Sequence, residues 1–137
     1  MSLGIAGLLY SATPATPEFF WWQGASGRWW ITTVYPVTRT NIDLASVYLI
    51  VRRNPDGTRT PLYIGQTDDT ARRMSDHAHS TLFAAMILGG NELHLHFLAE
   101  TERERFKIET DLRHGHATPL NRQLGGGLMG LASLYGR

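Results

Sequence analysis

The chain of 137 residues contains no cysteine. Disulfides, thiolate metal sites and cysteine nucleophiles are therefore excluded, and the composition suits a reducing compartment, with the cytoplasm as the default. Lysine is almost as scarce: Lys107 stands alone beside twelve arginines. Arginine favours bidentate contact with phosphate, but a GC-rich genome gives the same skew, and the genomic explanation is preferred. An excess of one charge is missing too. With a formal net charge of +1, composition is silent on partners, because steering depends on a local patch more than on the total. No apolar run reaches the ~18 residues of a membrane span, so no membrane partner is expected. The opening MSLGIAGLLYSATPA lacks a basic n-region and is broken by glycines, which predicts a strand or ordered arm rather than a signal peptide.

What is present is an ordinary globular balance, 42% hydrophobic against 18% charged, enough for one domain with a real core. The run EFFWWQGASGRWWITTVYPV predicts an aromatic β-hairpin around GASG. Its four tryptophans suit base stacking, but core or sheet-edge cover is the preferred reading. ASVYLIVRR and TPLYIGQT flank NPDG, in which proline presets φ and glycine supplies a positive one, predicting a second hairpin. DDTARRMSDHAHS predicts a helix capped by Thr67 or Asp68, and TLFAAMILGG a short buried helix stopped by Gly89 and Gly90. NELHLHFLAE alternates, predicting a strand with Leu93, Leu95 and Phe97 on its core face. His94 and His96 then lie on the exposed face, two surface histidines rather than a metal pair. TERERFKIETDLRHGH opens on a capping box, Thr101 with Glu104, and predicts a helix to about Gly115. The order predicts an α+β domain: a small three-stranded antiparallel sheet flanked by helices, with the aromatic hairpin as an N-terminal extension. The expected divisions are an arm and hairpin over 1–40, the main module over 41–124, and a glycine-rich tail over 125–137.

Several polar residues in this frame invite chemistry. Symmetrical closure about Pro55 and Asp56 pairs Tyr48 with Tyr63 on one face, whereas a bulge at Gly57 would separate them. Arg73 and His77 are four residues apart, on one helix face, and Arg73 follows Tyr63 closely enough to return over the strand end. Glu109, between Ile108 and Leu112, sits at the margin of its helix's apolar stripe, where a carboxylate needs an arginine or a hard cation as partner; Asp111 and Glu102 should face water. Asn121 follows in PLN. Asp68 and Asp69 make the helix after YIG repel phosphate rather than cradle it, so a nucleotide-binding loop is not expected there.

VYLI, then YIG, the arginine ten residues after its tyrosine, the histidine one turn on, the helical glutamate and the asparagine in PLN together resemble the GIY-YIG nuclease family over roughly residues 46 to 123. Ser46-Val47-Tyr48 stands where that family usually has Gly-Ile-Tyr, and the serine adds a side chain where the backbone needs room. The resemblance implies a metal-dependent endonuclease acting on DNA. It assigns Glu109 to a single Mg²⁺ or Mn²⁺, Arg73 to the transition state and Tyr48 to general-base duty; His77, whose ordinary pKa lies in the working range, is the alternative base, with Tyr63 expected to position water or phosphate and Asn121 to anchor the last segment. The alternatives are a catalytically inactive module of the same scaffold that binds nucleic acid or a protein, and an enzyme on a smaller phosphodiester. The hairpin and the tail are the surfaces left for a homodimer or a protein partner.

Overall fold

A computed structural model describes residues 16–39 and 41–124. The expected arm over residues 1–15 and the tail over 125–137 lie outside the described residues. Strands β1 (Glu18–Gln23) and β2 (Trp29–Pro36) form the aromatic hairpin, and β3 (Ser46–Arg53) and β4 (Arg59–Thr67) the second one. Helices α1 (Thr70–His77) and α2 (Thr81–Ile87) follow, then β5 (Glu92–His96), α3 (Glu102–Gly115) and α4 (Pro119–Leu124).

All five strands join one antiparallel sheet in the order β1-β2-β5-β3-β4. The class is α+β as expected, but the three-stranded sheet is not what forms. β2 pairs with β5 from Thr33↔Leu95 to Pro36↔Glu92, so the aromatic hairpin continues the sheet rather than being appended to it. Asp111 fixes the hairpin's tip: its carboxylate accepts from Ser26 N–H (2.7 Å), Ser26 Oγ (2.7 Å) and Trp30 Nε1 (2.9 Å). Asp111, expected to face water, is partly exposed but also engaged by these donors.

Each face of the sheet carries its own core. Tyr48, Ile50, Leu93 and Leu95 pack with Met74, Leu82 and Leu120 under α1, α2 and α4. Val47, Leu49, Val51 and Ile64 pack with Trp22, Ile108 and Leu112 under α3. β5 is interior to the sheet and covered on both sides, so every residue from Glu92 to His96 is buried. His94 and His96 are therefore not surface residues: alternation predicts one wet face, but the strand has none. Trp22 Nε1 donates to His94 Nδ1 (3.0 Å), which puts the ring proton on Nε2, where it is donated to Glu92 (2.9 Å). Arg59 Nε donates to the same carboxylate oxygen (2.8 Å). Burial opposes ionisation of Glu92, but the hydrogen bonds from Arg59 and His94 outweigh it and hold the carboxyl below its ordinary range.

Three local expectations also need correction. α1 is capped by Asp69, whose carboxylate accepts from Arg72 N–H, not by Thr67 or Asp68; Thr67 instead accepts from Asp69 N–H. α2 is only half buried, with Phe83 and Ile87 outside. Ser46 finds room without strain, and its hydroxyl meets Thr70 Oγ1 at 2.7 Å, tying β3 to the first turn of α1.

His94 and His77 both have pKa values lowered, first by burial. The unfolded chain then binds protons that the folded one refuses. The stabilisation is complete above the ordinary value of 6.5 and is lost as pH falls through the depressed folded values. Urea unfolding should give midpoints that decline below that pH, with a shallower decline in His94→Gln and in His77→Gln; identical slopes in all three proteins would contradict this assignment.

Candidate active site at the free edge of the sheet

β4 is an edge strand, and the route by which it places Tyr63 is indirect. The loop Pro55-Asp56-Gly57, with Gly57 at φ 89°, is closed by Asn54 and Thr58, which moves the register one residue from symmetrical closure. A bulge then leaves Leu62 without a partner, since Ile50 faces Tyr63 while Val51 faces Pro61. Pro61, which lacks an N–H, is tolerated at this irregular edge. Two shifts of one residue each restore parity. Tyr48 therefore faces Gly65, not Tyr63, but both phenols remain on one face, stacked with centroids 6.1 Å apart and planes at 28°.

Gly65 is what lets the first ring lie where it does. A Cβ there would stand 2.5 Å from Tyr48 Oη and 2.6 Å from Cζ, so the ring crosses the edge strand over a position where any side chain would force it to move. Its hydroxyl meets His77 Nε2 at 2.8 Å, because α1 returns over β3 and β4 after the turn at Thr67. Arg73, one turn earlier on α1, lines the same hollow, and α3 brings Glu109 to it from the opposite face of the sheet. The hollow, of about 230 Å³, is bounded by Tyr48, Tyr63, Gly65, Gln66, Arg73, Phe106 and Glu109.

The electrostatics follow from half-burial of opposite charges. Burial, then the neighbouring Tyr63 phenol, pushes Tyr48 far above its ordinary value, against the pull of Arg73. Burial and then the Glu109 carboxylate push Tyr63 up. His77 is lowered by burial and by Arg73. The resting pair is thus a neutral phenol and a neutral imidazole. Glu109 is raised by burial, with Arg113 and Arg73 opposing; Arg113 approaches it only to 4.0 Å. Among the described residues no other ion pair engages Glu109 and none engages Arg73.

Asn121 does not line the hollow. It is buried, and its amide donates to the Ile64 carbonyl (2.8 Å) while its Oδ1 accepts from Ile64 N–H (2.7 Å) and Thr118 Oγ1 (2.6 Å). It thereby closes the open main-chain edge of β4 beside the two tyrosines, a positioning role. Sequence reading missed Phe106 and Gln66. Phe106 was legible in retrospect as an aromatic three residues before Glu109 on the same helix; Gln66, held by Arg105 Nε (3.1 Å), carries no local signal.

A cation fits this donor set in one way only. Among the described residues no group of three His, Asp or Glu side chains comes together, so a hard cation on the half-buried Glu109 carboxylate would complete its shell from water and substrate oxygens, as Mg²⁺ accepts. A hollow of about 460 Å³ lies elsewhere, between the hairpin and α3; there Asp111 is already engaged by Ser26 and Trp30. No family model, curated protein or solved structure matches the chain.

Two substitutions test the geometry. Gly65→Ala should displace the Tyr48 ring, costing about 1–3 kcal/mol of stability and breaking the bond to His77, read as a shifted Nε2 resonance in the imidazole spectrum. Asn121→Ala leaves both Ile64 groups unpaired in the interior and should cost about 2–5 kcal/mol in urea unfolding; a loss under 1 kcal/mol would show that the edge is satisfied some other way.

Proposed function

We propose that the chain is a metal-dependent endonuclease that hydrolyses phosphodiester bonds in DNA, with the arrangement of the GIY-YIG nucleases that its motifs resemble. The observation that carries this reading is the meeting of two phenols, a guanidinium and a half-buried carboxylate in one hollow, with an imidazole bonded to the inner phenol. The hollow's size supports a polymer over a small phosphodiester. Pockets that enclose a whole small ligand run to ~300–1,000 Å³, and about 230 Å³ takes a phosphate and its sugar while the rest of a strand stays outside. Such an enzyme without cysteine suits the cytoplasm.

The residues divide the work by charge. Glu109 would hold Mg²⁺ or Mn²⁺, which when bound supplies charge neutralisation at the phosphate and the departing 3′ oxygen. Arg73 donates to a non-bridging oxygen, and its fixed charge acts most strongly when the phosphorane is most negative. Water attacks phosphorus as its proton passes to the Tyr48 oxygen and the Tyr48 proton passes to His77 Nε2. The bond to the 3′ oxygen breaks, and that oxygen leaves as an alcohol after taking a proton from solvent. This relay joins the two candidate bases. A phenol held far above neutrality does not rest as an anion, and an imidazole lowered below 6.5 is free to accept the proton at neutral pH. Tyr63 orients the water or the phosphate.

The test is cleavage of flapped, mismatched and plain duplex DNA with and without Mg²⁺ or Mn²⁺. Glu109→Gln and Arg73→Ala should each lose about 10²–10³-fold in kcat while remaining folded; full cleavage by Glu109→Gln would refute the reading. The acid limb of log kcat should rise with pH to a plateau reached by pH 7, because His77 must be unprotonated. His77→Gln should remove that limb and slow the reaction by about 10²-fold or more.

A further inference from the structure

Phe106 is 49% exposed although it sits on the same helix as buried Ile108 and Leu112. A single exposed aromatic on a helix is unremarkable by itself. This one lines the hollow that holds Glu109 and both tyrosines. Its ring is therefore available to whatever occupies the hollow. Phe106, Glu109 and Arg113 also fall at i, i+3 and i+7 of α3, one stripe of the helix. With 1.5 Å of rise per residue, the Cα of Phe106 lies about 4.5 Å along the axis to one side of that of Glu109 and the Cα of Arg113 about 6 Å to the other. Arg113 is 41% exposed at its side chain and only loosely paired with Glu109 at 4.0 Å, so it can turn to a phosphate.

We infer that Phe106 is a stacking platform for one unpaired nucleobase next to the scissile phosphate, and that the substrate strand runs along α3 with its base face open at that position. The inference rests on the nuclease reading and narrows its substrate class. A base within a regular duplex has both faces occupied by its neighbours and cannot lie on a side chain unless it is unstacked. A flap, a single strand or a distorted site offers such a face; an intact duplex does not. Stacking tolerates any base, because every base has a π-face, so Phe106 selects the structure of the substrate and not its sequence.

The test is equilibrium binding by fluorescence anisotropy at fixed salt, with Ca²⁺ in place of Mg²⁺ so that the readout does not require cleavage. Three probes are compared: a short labelled oligothymidylate, the same backbone made wholly abasic, and a blunt duplex. Wild type should prefer thymidylate to the abasic strand, and Phe106→Ala should shrink that preference by roughly 5- to 150-fold, the range for one stacked base. Phe106→Trp should keep the preference. Phe106→Leu, which retains apolar bulk without a π-face, should lose it as the alanine does, and circular dichroism confirms that each variant is folded. Affinity for the duplex should change less than about twofold in Phe106→Ala. An unchanged thymidylate-to-abasic ratio in both Phe106→Ala and Phe106→Leu overturns the inference, as does an equal loss on the duplex. Absence of cleavage by wild type in Mg²⁺ and Mn²⁺ would instead overturn the nuclease reading, which the binding comparison does not use.

Discussion

The ring of Tyr48 lies across Gly65, and the rest of the hollow depends on that contact. A strand tyrosine one position in from the edge would ordinarily be walled off by the side chain beside it on the edge strand. With hydrogen in that place, the phenol reaches far enough to bond His77 on α1. The hollow can then be approached from both sides of the sheet, by Arg73 on one and Glu109 on the other. Asn121 supports the arrangement by holding both main-chain groups of Ile64, the residue between the two that matter most, Tyr63 and Gly65.

Burial then sets the chemistry. The same desolvation that lifts the phenols lowers His77 and raises Glu109, so the acids and bases of the hollow rest closer to neutrality in charge than they would in water. The Glu109 carboxylate, kept partly dry, has in Arg113, at 4.0 Å, only a loose ionic partner. The buried polar chain from Trp22 through His94 and Glu92 to Arg59 uses similar groups to a different end. Every member is bonded, so the set ties the two hairpins to β5; of its four residues Glu92 also borders a hollow, beside Glu18 and Arg53.

Local chemistry made much of this legible in the sequence. NPDG marked the second hairpin, Thr101 and Glu104 the start of α3, Gly89 the end of α2, and the position of Glu109 at a stripe's margin its half-buried state. Register was harder. The extra residue at Gly57 was foreseeable, but the bulge at Leu62 carries no turn signal in the sequence, and only the two together return Tyr63 to the face of Tyr48. The five-stranded sheet was not readable because β2 and β5 are distant in sequence and pair through no local motif. That pairing in turn decides His94 and His96: polar residues in alternation signal an exposed face only when nothing covers it, and here the tryptophan hairpin and α3 do.

On the proposed nuclease function these side chains hold one divalent cation against a phosphate, which Mn²⁺ relaxation of backbone amide resonances reads in the presence of a phosphorothioate strand that resists cleavage. Selective broadening is expected around Tyr48, Tyr63 to Gln66, Arg73 and Phe106 to Glu109, abolished by replacing the Glu109 carboxylate with an amide. Broadening centred on the acidic turn at Asp68 and Asp69, or none that depends on Glu109, would contradict it.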